Sequence, residues 1–175
     1  LLEELNCRGW GLSDEAGAAI ARALSMTSTA SVILVKMMDN PGLSRQAACA
    51  FGCLLASSKV IQELGLVDCE LGEEDIVALF EAVAQHPGAS PLRKLALTNN
   101  VVGGRGAATL AAAVKAGTLE ALEELWLFNC QLGEKCAMAL LEALAQRAGA
   151  SRLRVVVLSG NELGGRGAGA LAAAA

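Results

Sequence analysis

The chain has no tyrosine, one histidine and three prolines in 175 residues, and aromatic residues make up only 3% of it. Charged residues are also sparse, 18% against the about 25% of ordinary soluble domains. The single histidine, His86, stands in the loop-like stretch His86-Pro87-Gly88. It offers no Ser/His/Asp or Cys/His constellation, so no catalytic residue is assigned and the chain reads as a non-enzyme. No basic run stands out and the net charge is −4, which speaks against a nucleic-acid partner. No apolar run approaches the roughly 18 residues of a membrane-spanning helix. The longest, at 168–175 and 136–141, are short and rich in alanine. No signal peptide opens the chain, and its start at Leu1 without Met marks it as an expected piece of a longer array.

What the sequence has in excess is aliphatic residues. It is 54% hydrophobic, and alanine and leucine alone supply roughly a third of it, far above ordinary usage. That composition excludes a disordered chain, which needs low hydrophobicity and high net charge.

The excess is periodic. The triplets Leu2/Leu5/Cys7, Val32/Val35/Met37, Ile61/Leu64/Leu66, Leu92/Leu95/Leu97, Leu122/Leu125/Leu127 and Leu153/Val156/Leu158 share one spacing. They begin 30, 29, 31, 30 and 31 residues apart. Beyond each triplet stands Trp10, Asn40, Cys69, Asn100, Cys130 or Asn161, then Leu12, Leu43, Leu71, Val102, Leu132 or Leu163. Self-similarity at this period is the signature of a solenoid. The first half of each copy alternates as a short strand does. The second half repeats apolar or small residues every four positions from the closing aliphatic, as in Leu43, Ala47, Phe51 and Leu55, which is one face of a helix. Pro/Gly/Ser punctuation at 86–91 and 148–151 resets the chain. One strand and one helix cannot bury their own apolar sides, whereas stacked copies can. The expectation is an α/β solenoid, a horseshoe arc with an inner parallel β-sheet and outer α-helices. It forms a single domain over residues 1–175, with six repeats starting near 2, 32, 61, 92, 122 and 153.

The pattern resembles the leucine-rich repeat, in the long ribonuclease-inhibitor-like subclass. Its two-repeat alternation is also present. Cys69 and Cys130 mark one type, followed by Leu-Gly-Glu, and Asn40, Asn100 and Asn161 mark the other. The resemblance implies a protein-binding surface of the kind found in the sensor domains of NOD-like receptors. The alternative it implies is a regulatory domain for a small GTPase, similar to the Ran GTPase-activating protein. Two places depart from the pattern. Trp10 replaces Asn or Cys, and an indole does not fit an inward turn, so the first repeat is expected to be distorted there. The second repeat, Asn40-Pro41-Gly42-Leu43, is one residue longer than its siblings.

Several residues look chemical. Six cysteines without a Cys-x-x-Cys pair lack zinc spacing, so no metal site is assigned. Cys69 and Cys130 take inward turn positions, Cys7 replaces a core leucine, and all six are expected reduced, as in the cytoplasm. Gly103-Gly104-Arg105-Gly106, echoed by Gly164-Gly165-Arg166-Gly167, is superficially a phosphate loop. It lacks the Lys-Ser/Thr pair and recurs at one repeat offset, so it reads as architecture, with Gly106 allowing close helix–strand approach. Glu73, Glu74, Asp75 and Glu134 sit in first helical turns, where they favour the helix dipole. No cofactor and no small-molecule substrate are implied.

The exposed strand positions remain. Between the second and third core sites they read Asn6, Lys36, Gly65, Ala96, Trp126 and Val157, and after the third Arg8, Met38, Val67, Thr98, Phe128 and Ser159. Trp126 and Phe128 stand together on a face that needs no apolar residue. With Val157 as apolar neighbour and Glu124 and Arg154 on the rim, they form the candidate site for a protein partner.

Overall fold

The computed structural model describes residues 2–26, 31–85, 88–146 and 152–164. His86, the punctuation at 148–151, Gly165 to Gly167 and the alanine-rich stretch 168–175 lie outside the described residues, so the readings placed on them go no further.

Among the described residues six strands alternate with five helices: β1 (Glu4–Asn6), α1 (Asp14–Met26), β2 (Leu34–Lys36), α2 (Arg45–Ser57), β3 (Glu63–Gly65), α3 (Glu73–Ala84), β4 (Lys94–Ala96), α4 (Gly103–Lys115), β5 (Glu124–Trp126), α5 (Glu134–Ala145) and β6 (Val155–Val157). The strands form one parallel sheet in sequence order, with an open rather than closed outline. Each helix packs on the next, α1 on α2 through α4 on α5. This is the α/β solenoid that the period implies.

Register follows the repeat without slippage. Asn6 pairs with Lys36, Lys36 with Gly65, Gly65 with Ala96, Ala96 with Trp126, and Trp126 with Val157. A one-residue slip would expose the aliphatic column, so burial fixes the alignment. The longer second turn does not disturb it, because Val32, Val35 and Met37 are all buried.

The core lies between sheet and helices. Val35, Leu64, Leu95 and Leu125 fill its middle column, and Cys7, Met37, Leu66, Leu97, Leu127 and Leu158 the next. Phe51 and Phe80 close the helix side with no exposed area. Gly106 departs from its expected role. A side chain there would press on Ile76 of α3, so its bareness serves helix–helix rather than helix–strand contact. Among the described residues no helix is long and apolar enough to cross a membrane.

Candidate functional site

The wall that supports the sheet is built at the turns. Asn100 is buried, and its amide donates to the carbonyl oxygens of Leu66 (2.6 Å), Leu97 (2.8 Å) and Thr98 (3.3 Å). Its Oδ1 accepts from the backbone N–H groups of Cys69 (3.3 Å) and Leu71 (3.0 Å). Asn161 does the same toward the preceding repeat, accepting from Cys130 and Leu132 and donating to Leu127, Leu158 and Ser159. Cys69 and Cys130 span in the same direction, their thiols donating to the carbonyls of Met37 (3.1 Å) and Leu97 (3.3 Å). Burial pushes both thiols up to about 11. None of the six cysteines is in a disulfide.

The first turn is altered as its tryptophan implies. Asn40 accepts from Leu12 N–H but not from Trp10, whose N–H turns to Cys7 O instead, and the indole is 66% exposed. One left-handed position in each turn falls two residues after the third core site, at Gly9, Asp39, Asp68, Asn99, Asn129 and Gly160. These are the residue types that tolerate it.

The glycine-rich stretch is an anion cradle that the protein fills itself. Arg105 N–H donates to the Glu73 carboxylate at 2.7 Å, and any side chain at Gly103 (φ +61°) would collide with that carboxylate. Asp14 fills the same role two repeats earlier. Its carboxylate accepts from the N–H groups of Ser44 (2.9 Å), Gln46 (3.1 Å) and Ala47 (2.7 Å) and from the Ser44 hydroxyl (2.7 Å). Burial pushes the Asp14 carboxyl up, but those four hydrogen bonds outweigh it and hold it below the usual carboxylate range. Glu73 therefore serves the next helix rather than its own. Asp75 caps its own, accepting from Gly72 N–H at 2.8 Å.

The open face of the sheet holds the sequence-derived site. Trp126 is half-buried and Phe128 is 41% exposed. Trp126 is not a free indole. Its Nε1–H donates to Glu124 at 2.9 Å, and Lys94 Nζ stands 5.6 Å from its ring centroid, within cation–π range. Lys94 also lies 3.7 Å from both Glu63 and Glu124. Glu124 thus positions the tryptophan as well as forming a rim. Val157 lies opposite Trp126 in the register and is half-buried. Arg154 is exposed, and its N–H donates to Glu123 O at 2.7 Å. Arg93 forks onto the Glu123 carboxylate (2.9 and 3.0 Å) and holds it below its ordinary range, with Arg154 and Arg152 adding to the effect.

Sequence reasoning missed Lys94 and the continuation of the apolar strip. Met38 lies against Gly65, and Val67 stands beside it, both half-buried. The signal was available, since Lys94 is one repeat before Glu124 and one after Glu63. Beyond the strip, Asn129 donates to Asn99 (3.1 Å) and Asn99 to Asp68 (2.8 Å), a polar rail along the turn edge.

Comparison with known proteins agrees with this architecture. A family described as Leucine Rich repeat matches residues 89–111 and 151–172. No curated protein matches the chain. Among solved structures, a chain titled "Leiomodin-1 Actin-Binding Site 2 (ABS2)" is similar in fold, with a TM-score of 0.65 and 21% identity. The similarity covers 83% of this chain and 80% of that one. The repeat period, the parallel register, the turn ladder and these two likenesses give the chain the fold of a leucine-rich-repeat solenoid.

Proposed function

We propose that the chain recognises a protein partner with the open strand face, anchored by Trp126 and Phe128, with Val157 extending the contact and Glu124 and Arg154 on its rim. One observation carries the reading. Trp126 and Phe128 stand on a sheet face whose opposite side already holds the core, so neither is required to close the fold. Trp126 is also held in one orientation by Glu124 and Lys94, which lowers the entropy lost when a partner covers it. The alternation of cysteine-type and asparagine-type turns supports the ribonuclease-inhibitor-like subclass, and the unpaired thiols support a reducing, cytoplasmic setting.

The leiomodin-1 domain is titled as an actin-binding site, so actin is a reasonable first partner to assay. At 21% identity the likeness itself carries the fold alone. Truncating a hot-spot tryptophan costs about 2 kcal/mol or more, or roughly thirtyfold in affinity. Once a partner is purified, Trp126→Ala and Phe128→Ala should each weaken binding at least about tenfold while the chain stays folded. Unchanged affinity in both variants would remove the open face as the site.

A further inference from the structure

The outer side of the solenoid carries a feature that the open strand face does not use. Cys49 and Cys53 stand one turn apart on α2, the first exposed and the second half-buried. Side chains at this spacing are neighbours, with Cβ atoms about 5–6 Å apart. Both cysteines line a groove of about 540 Å³ between α1 and α2, shared with Arg22, Arg45 and Asp14.

The other cysteines are differently placed. Cys7, Cys69 and Cys130 are buried, the last two bonded to backbone carbonyls, and Cys136 is on α5. Only Cys49 and Cys53 combine a thiol neighbour with an open groove.

We propose that Cys49 and Cys53 form a two-sulfur site for a soft monovalent metal ion, with Cu(I) as the ion their chemistry selects. Thiolates favour soft cations. Zinc asks for four ligands, and among the described residues no group of three or more His, Cys, Asp and Glu side chains is gathered. The Asp14 carboxylate, though it lines the groove, is committed to the N-terminus of α2. Charge fits as well. One monovalent ion and two thiolates carry a net −1, and Arg22 and Arg45 stand in the same groove. Binding is ligand exchange without redox change. Cu(I) replaces the two thiol protons, which pass to solvent, so affinity rises with pH.

The test is anaerobic competition for Cu(I) between the purified chain and a chromophoric Cu(I) chelator. The wild-type chain should withdraw one ion, and X-ray absorption should report two sulfur neighbours. Cys49→Ser and Cys53→Ser should each lose at least about tenfold in affinity with unchanged melting temperature, while Cys136→Ser retains the ion. Equal retention by the Cys49→Ser/Cys53→Ser double variant, or loss in Cys136→Ser alone, would overturn the proposal. So would a spectrum with fewer than two sulfur neighbours.

Discussion

The two sides of the same six strands obey different rules. On the inner side the repeats present the same residue types: three aliphatic or sulfur-bearing residues, though Leu2 of the first repeat, expected in the core, is 61% exposed, then, from the second repeat on, an inward Asn or Cys that ties its turn to the repeat before it. On the open side the matching column runs Asn6, Lys36, Gly65, Ala96, Trp126 and Val157, without a shared property. The inner side is uniform because each repeat is its neighbour's packing surface, so a change in one is felt in two. The open side is under no such constraint, and its variation is where specificity can reside. Substitutions on the two sides should therefore differ sharply in what they cost.

The largest effect is expected from Asn100→Ala. It leaves the N–H groups of Cys69 and Leu71 and the carbonyl of Leu66 without their side-chain partner in a buried site, while the Leu97 carbonyl keeps the Cys130 thiol. At roughly 1–3 kcal/mol per stranded group, partly relieved by relaxation, the loss is about 3–5 kcal/mol. Chemical denaturation would measure it. Thr98→Ala, two residues away on the open side, should cost less than about 1 kcal/mol. Similar losses in the two variants would erase the distinction between the sides.

Asp14→Ala comes next, with about 1–2 kcal/mol expected from the lost cap on α2. The pH dependence has a definite sign. The Asp14 carboxyl is held below its ordinary 3.8 in the folded chain. Its contribution is therefore present above that value and lost as pH falls through the lower folded value. Acid titration of stability should show a steeper decline in the wild type than in the variant.

A third test uses the inward thiols. Cys69 and Cys130 are raised from 9.0 to about 11 in the folded chain, so they stabilise it fully below pH 9 and cease to do so as pH rises toward 11. Between those limits the wild-type melting temperature should fall faster than that of a Cys69→Ala/Cys130→Ala variant. Parallel curves would mean that the thiols are not shielded as the structure has them.

Much of this was legible in the sequence, and for a physical reason. Period-two alternation within a 30-residue repeat leaves a single register, and the column containing Trp126 follows from counting. The Trp10 distortion was legible too, because an indole cannot occupy a site sized for an amide. The carboxylates of Asp14 and Glu73 were harder to read. Acidic residues in a first helical turn suggest their own helix dipole, yet these two serve the helix of the following repeat. A trace of that pairing exists in the alternation itself, with Asp14, Glu73 and Glu134 two residues past the closing leucine in every other repeat and Gly103 and Gly164 opposite the latter two. The Lys94–Trp126 contact depends on side-chain reach between strands, which a column of letters does not encode.

On the proposed function, Trp126 belongs to the binding side and not to the folding side. The most direct measurement is to compare Trp126→Ala with wild type for melting temperature and for partner affinity per folded molecule, in the same preparation. The account expects a shift of no more than a few degrees, reflecting the lost Lys94 and Glu124 contacts, together with at least about a tenfold loss of affinity. A variant that unfolds, yet binds normally in whatever fraction remains folded, would make Trp126 a structural residue and contradict the account.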